Sequence, residues 1–246
     1  MLSFLRTQRR ELDEWLTRRG KAHTFSLSAY ALYRSVDRLV TRHVHGRCLD
    51  AGSGRAPFKA DLRARGVDVV SIDIEDRSGE VDYLADIQDM SVIEAASVDS
   101  VICTEVLEHV PRPRDALREI MRVLKPGGVL ILSVPHLSPI HEAPNDFYRY
   151  TGYGVASLLE NAGFDIVEIE GVGGVFAFLS HGLSLSFFSA AGAIRFTRPL
   201  VWRLNYAILV RALGLVDEVL GLRSVYPTNF VALARKPLVP KARTVA

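Results

Sequence analysis

The chain of 246 residues has few cysteines and little net charge, and each shortage excludes a class of protein. Its two cysteines, Cys48 and Cys103, lie in apolar runs, where packing is the simpler role, and two thiols cannot form the disulfide framework of a small secreted domain. Lys and Arg number 30 against 28 Asp and Glu, so the net charge of +2 gives no case for a dedicated nucleic-acid binder. The start, MLSFLRTQRRELDEW, lacks an apolar stretch of signal-peptide length. We therefore expect a cytoplasmic protein.

From Arg47 onward, short apolar runs alternate with helical stretches, as in βα units. The runs are RCLDAG, VDVVSIDIE, DYLADI, SVDSVICTE, GVLILSVP and FDIVEIEG, and NFVALARK follows near the end. Pro57 suits the first turn of one helix, and apolar spacing predicts further helices over 115–124 and 152–162. Residues 125–128, LysProGlyGly, and Gly163 act as helix stop signals. The sequence thus predicts an α/β fold with a mainly parallel sheet and helices on both faces.

The turn after the first predicted strand has two glycines, Gly52 and Gly54, that let the backbone approach a ligand closely. A dinucleotide fingerprint needs a small residue where Pro57 stands, so the sequence argues against a nicotinamide oxidoreductase. Acidic residues end or follow four predicted strands: Asp50, Asp73, Asp86 and Glu105. This acidic rim repels a pyrophosphate and attracts a cation that carries ribose hydroxyls, which is the charge distribution of S-adenosylmethionine. The alternative is that these acids are ordinary turn and cap formers.

Residues 46–170 resemble the class I S-adenosylmethionine-dependent methyltransferases, in particular the methyltransferase type 11 group. The segments CLDAGSGRAPF, VSIDIED, ADIQDM, VICTEVLEHVPRP and VLKPGGVLILSVP carry the resemblance, in this order. It implies a Rossmann-like, seven-stranded sheet of order 3-2-1-4-5-7-6 with strand 7 antiparallel. It also implies S-adenosyl-L-methionine as cofactor, with Asp50, Gly52 and Gly54 at the methionine portion, Asp73 at the ribose, Asp86 and Ile87 at the adenine, and Glu105 at the far wall. Ile74 is a further expected cofactor-binding residue. Ala56 departs from the pattern, because many members have a third glycine there.

We predict four segments along the chain. Residues 1–45 form an N-terminal helical cap, in which two helices are separated by a break near Gly20. Residues 46–174 form the core that binds S-adenosylmethionine, 175–226 an apolar helical insertion or lid between strands 6 and 7, and 227–246 the last strand and a tail.

Polar and aromatic residues concentrate in the loop 135–150, beyond the end of the fifth strand. Methyl transfer depends mainly on positioning and on excluding water, and a general base helps when the acceptor is a hydroxyl. His136 and His141 are the candidate catalytic bases, because histidine titrates near neutrality. Asp146, Tyr148 and Arg149 are the candidate acceptor-binding residues, and their pattern is similar to that of many type 11 relatives.

Alternative roles for these residues stay open. Both histidines can be surface or hydrogen-bonding groups, and His109 is the next candidate for the base. Arg149 can clamp a carboxylate or phosphate of the acceptor, or it can pair with Asp146. We expect no metal site, since the spacing of His141, Glu142 and Asp146 matches no compact metal motif.

The apolar insertion begins in a stretch, 171–194, that has no formal charge and is long enough to cross a bilayer. The return stretch carries Arg203, Arg211, Asp217 and Glu218. Because each of these charges is costly at a bilayer centre, we expect a helical hairpin that does not span. The hairpin can cap the acceptor site against the chain's own core, lie on a membrane surface or pack against a second subunit.

The sequence therefore predicts a methyltransferase that acts on a small-molecule, glycan or lipid-linked acceptor, most readily at oxygen. An anionic or amphiphilic acceptor suits the arginines near the insertion. The alternative is a methyltransferase-like protein without catalysis that serves in binding or membrane assembly. For partners, we expect no nucleic acid, and we leave open peripheral membrane contact and a homodimer.

Overall fold

The computed structural model describes residues 16, 22–77, 79–191 and 196–239, and the predicted helix break near Gly20 lies outside them. A seven-stranded sheet has the order β3-β2-β1-β4-β5-β7-β6, which confirms the predicted order. The strands are β1 Arg47–Ala51, β2 Asp68–Asp73, β3 Tyr83–Leu84, β4 Val98–Thr104, β5 Leu124–Pro135, β6 Asp165–Val172 and β7 Asn229–Arg235.

The strands on one side of the sheet are parallel, in the pairs β3 with β2, β2 with β1, β1 with β4 and β4 with β5. Lys236, just after β7, exchanges backbone hydrogen bonds with Gly127 and Gly128 near the start of β5. The end of β7 therefore lies beside the beginning of β5, so β7 is antiparallel, as the resemblance implies. Cys48 and Cys103 lie fully buried in the neighbouring strands β1 and β4.

Several helices accompany the sheet in the part of the chain that the structure describes. They are α1 Leu27–His43, α2 Lys59–Ala64, α3 Pro113–Val123, α4 Gly152–Asn161, α5 Val175–Ala191 and α6 Arg198–Val219, and the middle of α6, Tyr206–Ala212, is π-helical. Short 3-10 turns span Ala22–Thr24, Leu107–His109 and Leu222–Ser224. Helix α3 has a proline in its first turn and buries Ala116, Leu117, Ile120 and Val123, so one apolar face packs on the core. Helices α5 and α6 lie between β6 and β7, where the insertion was predicted.

Three element boundaries differ from the sequence prediction. Helix α3 stops before Lys125 as predicted, but β5 begins at Leu124 rather than at Gly128. The early start accompanies a register irregularity between Val98 and Ser100 of the neighbouring β4. Helix α2 begins at Lys59, two residues after Pro57, and β3 contains only two residues.

The chain divides into two compact units. The sheet unit consists of Val36–Glu170 and Phe230–Ala246, and the helical unit consists of Met1–Ser35 and Gly171–Asn229. The sheet unit has a core of fully buried aliphatic side chains, among them Leu49, Ile72, Val101, Leu130 and Leu132. In the helical unit, Leu27, Ala177 and Val210 form a separate buried cluster. The carboxylate of Asp217 in α6 accepts hydrogen bonds from the backbone nitrogens of Phe176 and Ala177, and so caps the first turn of α5.

Candidate active site

The loop after β1 is shaped by two glycines in left-handed conformations. Gly52 has a φ of 74°, and a Cβ at this position would lie 2.5 Å from Val106 Cγ2. The nitrogens of Gly52 and Ser53 both donate to Ile72 O, at 2.9 and 3.0 Å, which ties the loop to β2. Gly54 has a φ of 55°, and a Cβ there would meet no described heavy atom within 4 Å. The loop is therefore closed against the sheet at Gly52 and open beside Gly54.

Ala56 also has a left-handed backbone, with a φ of 48°. Ala56 stands where the family pattern has a third glycine, and its left-handed conformation strains any residue other than glycine. We predict that Ala56→Gly stabilises the protein by about 0.5–1 kcal/mol, because relief of roughly 1–2 kcal/mol of strain exceeds the extra entropy of the unfolded chain. Urea unfolding measures the change. The control Ala60→Gly, inside helix α2, should destabilise by about 1 kcal/mol, and equal losses in both variants would refute the strain.

Asp50 is a buried acid, only 4% exposed, at the carboxyl end of β1. Its Oδ2 and the Oγ of Ser53 are buried without a hydrogen-bond partner among the described residues. Burial, followed by the negative charge of Asp73, raises the pKa of Asp50 to about 7. Polar atoms buried in this way are normally paired, so a ligand that brings positive charge and donors would complete the site. The ammonium and sulfonium of S-adenosylmethionine meet that requirement.

Asp73, at the end of β2, organises the same loop. Its Oδ2 accepts a hydrogen bond from Gly54 N at 2.7 Å, and its Oδ1 accepts one from Glu75 N at 3.1 Å. Each carboxylate oxygen has a further lone pair, so these contacts leave capacity for ribose hydroxyls. Asp73 therefore holds the loop in shape as well as being the predicted ribose ligand.

The other predicted cofactor residues lie at or beyond strand ends. Asp86 follows β3 and accepts hydrogen bonds from the backbone and side chain of Gln88. Ile87 packs in the core at 5% exposure, whereas Ile74 is 70% exposed. Glu105 has a φ of 54° and accepts a hydrogen bond from Ser133 Oγ, which joins the ends of β4 and β5. The roles of these four residues toward a cofactor stay predictions.

The 3-10 turn Leu107–His109 follows Glu105 in the chain and places a second buried acid, Glu108, beside two imidazoles. The Glu108 side chain is fully buried, and neither carboxyl oxygen has a hydrogen-bond partner among the described residues. Its Oε1 lies 3.7 Å from His109 Nε2 and 3.8 Å from His141 Nε2, and the two rings meet edge to face. Burial, with Glu105 as the next cause, raises the pKa of Glu108 to about 9, so the carboxyl is protonated at neutral pH.

The contacts of the two histidines differ at Nδ1. His109 Nδ1 lies 2.6 Å from Asn145 O, and because a carbonyl oxygen only accepts, this contact places the proton on Nδ1 and a lone pair on Nε2. His141 Nδ1 lies 3.2 Å from Pro139 O and 3.5 Å from Arg149 Nη2, a donor, so its contacts fit either tautomer. We call Glu108, His109 and His141 the base cluster.

Each residue of the base cluster offers one ligating atom, an imidazole nitrogen or a carboxyl oxygen, and these three atoms lie within 4.8 Å of one another. Two imidazole nitrogens and a carboxyl oxygen at this spacing can take up a proton from an acceptor, and the same atoms can ligate a divalent cation. The group differs from the residues that the sequence analysis weighed for a metal. Of those, Glu142 pairs with Arg77 at 2.9 Å, which ties the loop after β5 to the loop after β2.

The remaining predicted acceptor residues fold their own loop. Arg149 and Asp146 form two short hydrogen bonds, of 2.6 and 2.7 Å, and the Asp146 side chain is 2% exposed. This pairing, together with a hydrogen bond from His141 N, holds the pKa of Asp146 well below its usual range. Arg149 also donates to the backbone oxygens of Ser138 and Pro139, so the structural alternative for this pair is realised. Tyr148 donates its hydroxyl to Pro111 O and stays 39% exposed.

The two predicted bases lie in different surroundings. His141 belongs to the base cluster, whereas His136 Nδ1 lies 2.8 Å from Tyr150 O and its ring packs against Phe230. His136 thereby anchors the start and end of the loop after β5. Sequence reasoning missed Glu108 and ranked His109 second. The signal was present in the apolar run Val-Leu-Glu-His-Val at 106–110, where an acid stands between two residues that become buried, Leu107 and Val110.

The fold, the glycine loop and the acidic strand ends are similar to those of class I S-adenosylmethionine-dependent methyltransferase domains. Residues 49–132 match the family described as a methyltransferase domain. A ubiquinone biosynthesis O-methyltransferase of Xanthomonas oryzae pv. oryzae is 34% identical over 156 aligned residues. The match covers 51% of this chain and 65% of that relative. The enzyme of the same name from Xanthomonas axonopodis pv. citri is 30% identical over 156 residues, and the match again covers 51% of this chain and 65% of that relative.

Solved structures share the fold at lower identity. The [4+2]-cyclase SpnF has a TM-score of 0.58 at 22% identity and covers 84% of this chain and 81% of its own. The Burkholderia thailandensis 1,6-didemethyltoxoflavin-N1-methyltransferase, solved with S-adenosylhomocysteine, has a TM-score of 0.54 at 18% identity, with coverages of 84% and 78%. A cyclase and an N-methyltransferase on one architecture show that the fold alone does not determine the reaction.

Proposed function

We propose that the protein transfers the methyl group of S-adenosylmethionine to an oxygen of a small-molecule, glycan or lipid-linked acceptor. The observation that carries the proposal is the pairing of two specialised groups of residues in the sheet unit. Asp50 and Asp73 form an acidic pair at the glycine loop, and the base cluster stands beyond the ends of β4 and β5. In parallel sheets of this kind, ligands bind at the carboxyl edge, where both groups lie.

The residues of the chain suggest a division of labour. When bound, S-adenosylmethionine supplies an electrophilic methyl group on a positively charged sulfur. Asp50 and Asp73 hold its cationic and ribose parts. His141 or His109 accepts the proton of the acceptor hydroxyl at Nε2 while the oxygen–methyl bond forms and the sulfur–methyl bond breaks. Protonated Glu108 can donate to the Nε2 of only one imidazole, which leaves the Nε2 of the other to act as the base.

The preference for oxygen is supported by the base cluster and by the Xanthomonas relatives. A hydroxyl is a poor nucleophile until its proton is removed, so two imidazoles beside a buried carboxyl suit an oxygen acceptor. The relatives are named for O-methylation in ubiquinone biosynthesis, which supports oxygen as the methylated atom.

Calorimetric titration with S-adenosylmethionine and with NAD tests the cofactor. We expect binding of the first only, and Asp73→Asn should weaken it roughly tenfold to a hundredfold, because a charge-assisted ribose contact is lost. Asparagine preserves an acceptor for Gly54 N, so the loop keeps its shape. Asp68→Asn, an exposed change in the same strand, is the control.

Mass spectrometry of a cell extract incubated with the protein and cofactor then tests the transfer. The proposal predicts a product heavier by one methylene, with the label when the methyl group is isotopically marked. Cofactor binding with no product in any extract fraction would favour the non-catalytic alternative.

A further inference from the structure

Helix α5 in the helical unit exposes large apolar side chains and buries two serines. Its exposed side chains include Phe178, Leu179, Leu183 and Phe187, which are 37–56% accessible. Ser180 and Ser184 are fully buried on the opposite side. A helix that faces water normally exposes its polar residues and buries its apolar ones. The exposed face of α5 is therefore built for apolar surroundings.

Helix α6 repeats this arrangement. Leu200, Leu204 and Ile208 follow one another at four-residue steps and are 43–59% exposed, and Leu215 and Val219 continue the exposed apolar surface at 61% and 74%. Its buried residues include Asn205 and Asp217. Only 17% of the most apolar stretch of α6 is buried, so α6 is not a core helix. Helices α5 and α6 pack against each other, and both leave large apolar side chains exposed.

The charge of the chain is divided unevenly between the two units. By sequence, the helical unit has 12 Lys and Arg against 5 Asp and Glu, whereas the sheet unit has 18 against 23. Exposed arginines, Arg203 and Arg211, stand on α6 beside its apolar side chains, and exposed Arg223 follows α6. Exposed apolar residues edged by arginines are the composition of an interfacial segment that binds anionic lipid headgroups.

We propose that the helical unit docks on the surface of an anionic phospholipid bilayer, with the exposed residues of α5 and α6 inserted among the headgroups. This inference concerns a surface outside the site of methyl transfer and holds whether or not transfer occurs. Arginine side chains at such an interface place their stems on apolar groups and their charges on phosphates.

Two other occupants of this surface fit less well. Helix α6 has the length and apolar composition to cross a membrane, but Arg203 and Arg211 would then lie within the hydrocarbon. A second copy of the chain would bring a unit with the same excess of positive charge, so the two would repel each other. An anionic bilayer instead supplies both an apolar layer and the opposite charge.

Flotation of the full chain with vesicles tests the proposal. Vesicles of phosphatidylcholine with about one third phosphatidylglycerol should carry at least tenfold more protein than pure phosphatidylcholine vesicles, and 0.5 M salt should release most of it. Equal binding to both vesicles, or none to either, would overturn the proposal without the use of any variant. Binding of S-adenosylmethionine, measured in parallel, is independent of this result and reports on the sheet unit.

Variants then locate the surface. Leu179→Ser with Leu183→Ser should reduce flotation at least tenfold, and Arg203→Glu should reduce it several-fold and weaken its salt dependence. The matched controls lie in the sheet unit: Val92→Ser with Val167→Ser, which are 48% and 53% exposed, and Arg114→Glu. Equal losses in the controls would contradict the assignment. A dimer in sedimentation that the Leu179/Leu183 variant abolishes would show that a second copy covers this surface instead.

Discussion

Replacing Asp50 by Asn should weaken S-adenosylmethionine binding about tenfold at pH 8 and leave it nearly unchanged at pH 6. Burial and the neighbouring Asp73 raise the pKa of Asp50 to about 7, so the wild-type carboxyl is mostly neutral at pH 6 and mostly charged at pH 8. Only the charged form attracts the cationic cofactor. With this pKa, the charged fraction changes about tenfold between the two pH values, and the apparent affinity follows it.

Calorimetry of both proteins across this range measures the effect. The quantity to follow is the ratio of wild-type to Asp50→Asn affinity, because titration of the cofactor's own amine affects both proteins equally and cancels. A ratio that does not change between pH 6 and pH 8 would contradict the role of the Asp50 charge.

Stability provides an independent check with a defined sign. Since the folded pKa of Asp50 lies above its unfolded value, folding favours the protonated form. The contribution to stability is complete below about pH 4 and is lost as the pH rises to about 7. The variant, which has no such group, should lose less stability than the wild type over that interval when no cofactor is present. At pH 8 it should also gain less from added cofactor.

Local patterns of apolar residues in the sequence predicted much of the fold. The parallel strands β1, β2 and β4 are short apolar runs, and each carries an acid at or just after its carboxyl end, where the chain turns into solvent or a ligand. The start of β5 was harder to predict, because the local sequence at Gly127 and Gly128 is typical of a turn. Their hydrogen bonds to Lys236, more than 100 residues away, place them in the sheet. A local pattern does not contain that partner.

The candidate site shows the same limit. The acidic strand ends were visible as residue types, but the state of Asp50 depends on burial and on its distance from Asp73, which only the folded chain determines. Glu108 became important because the loop after β5 folds over it, with Phe147 N donating to Glu108 O and His141 brought beside its carboxyl. Conversely, Arg149 and Asp146 had the composition of a ligand site, and the structure pairs them with each other.

Turnover should fall by about 10²-fold or more in His141→Ala, with cofactor affinity intact, because general-base assistance contributes on the order of 10²–10⁴-fold. His136→Ala is the matched control from the same loop, and its loss should be much smaller, since its imidazole lies against Tyr150 O and Phe230. If His109 shares the role, the double variant His109→Ala/His141→Ala should lose no more than the product of the two single losses. Equal turnover in all three single variants would eliminate the base cluster.

Glu108→Gln should separate a functional role from a structural one. The folded pKa of Glu108, about 9, lies above its unfolded value, so the acid stabilises the fold below about pH 4 and loses that contribution as the pH rises to about 9. Glutamine keeps the shape without the charge, and the variant should therefore unfold at a higher temperature than wild type at pH 9 and at nearly the same temperature at pH 4. Lower turnover in a protein that is more stable identifies a group retained for activity. Turnover that chelation abolishes in the wild type would instead assign the base cluster to a divalent cation and overturn its role as a base.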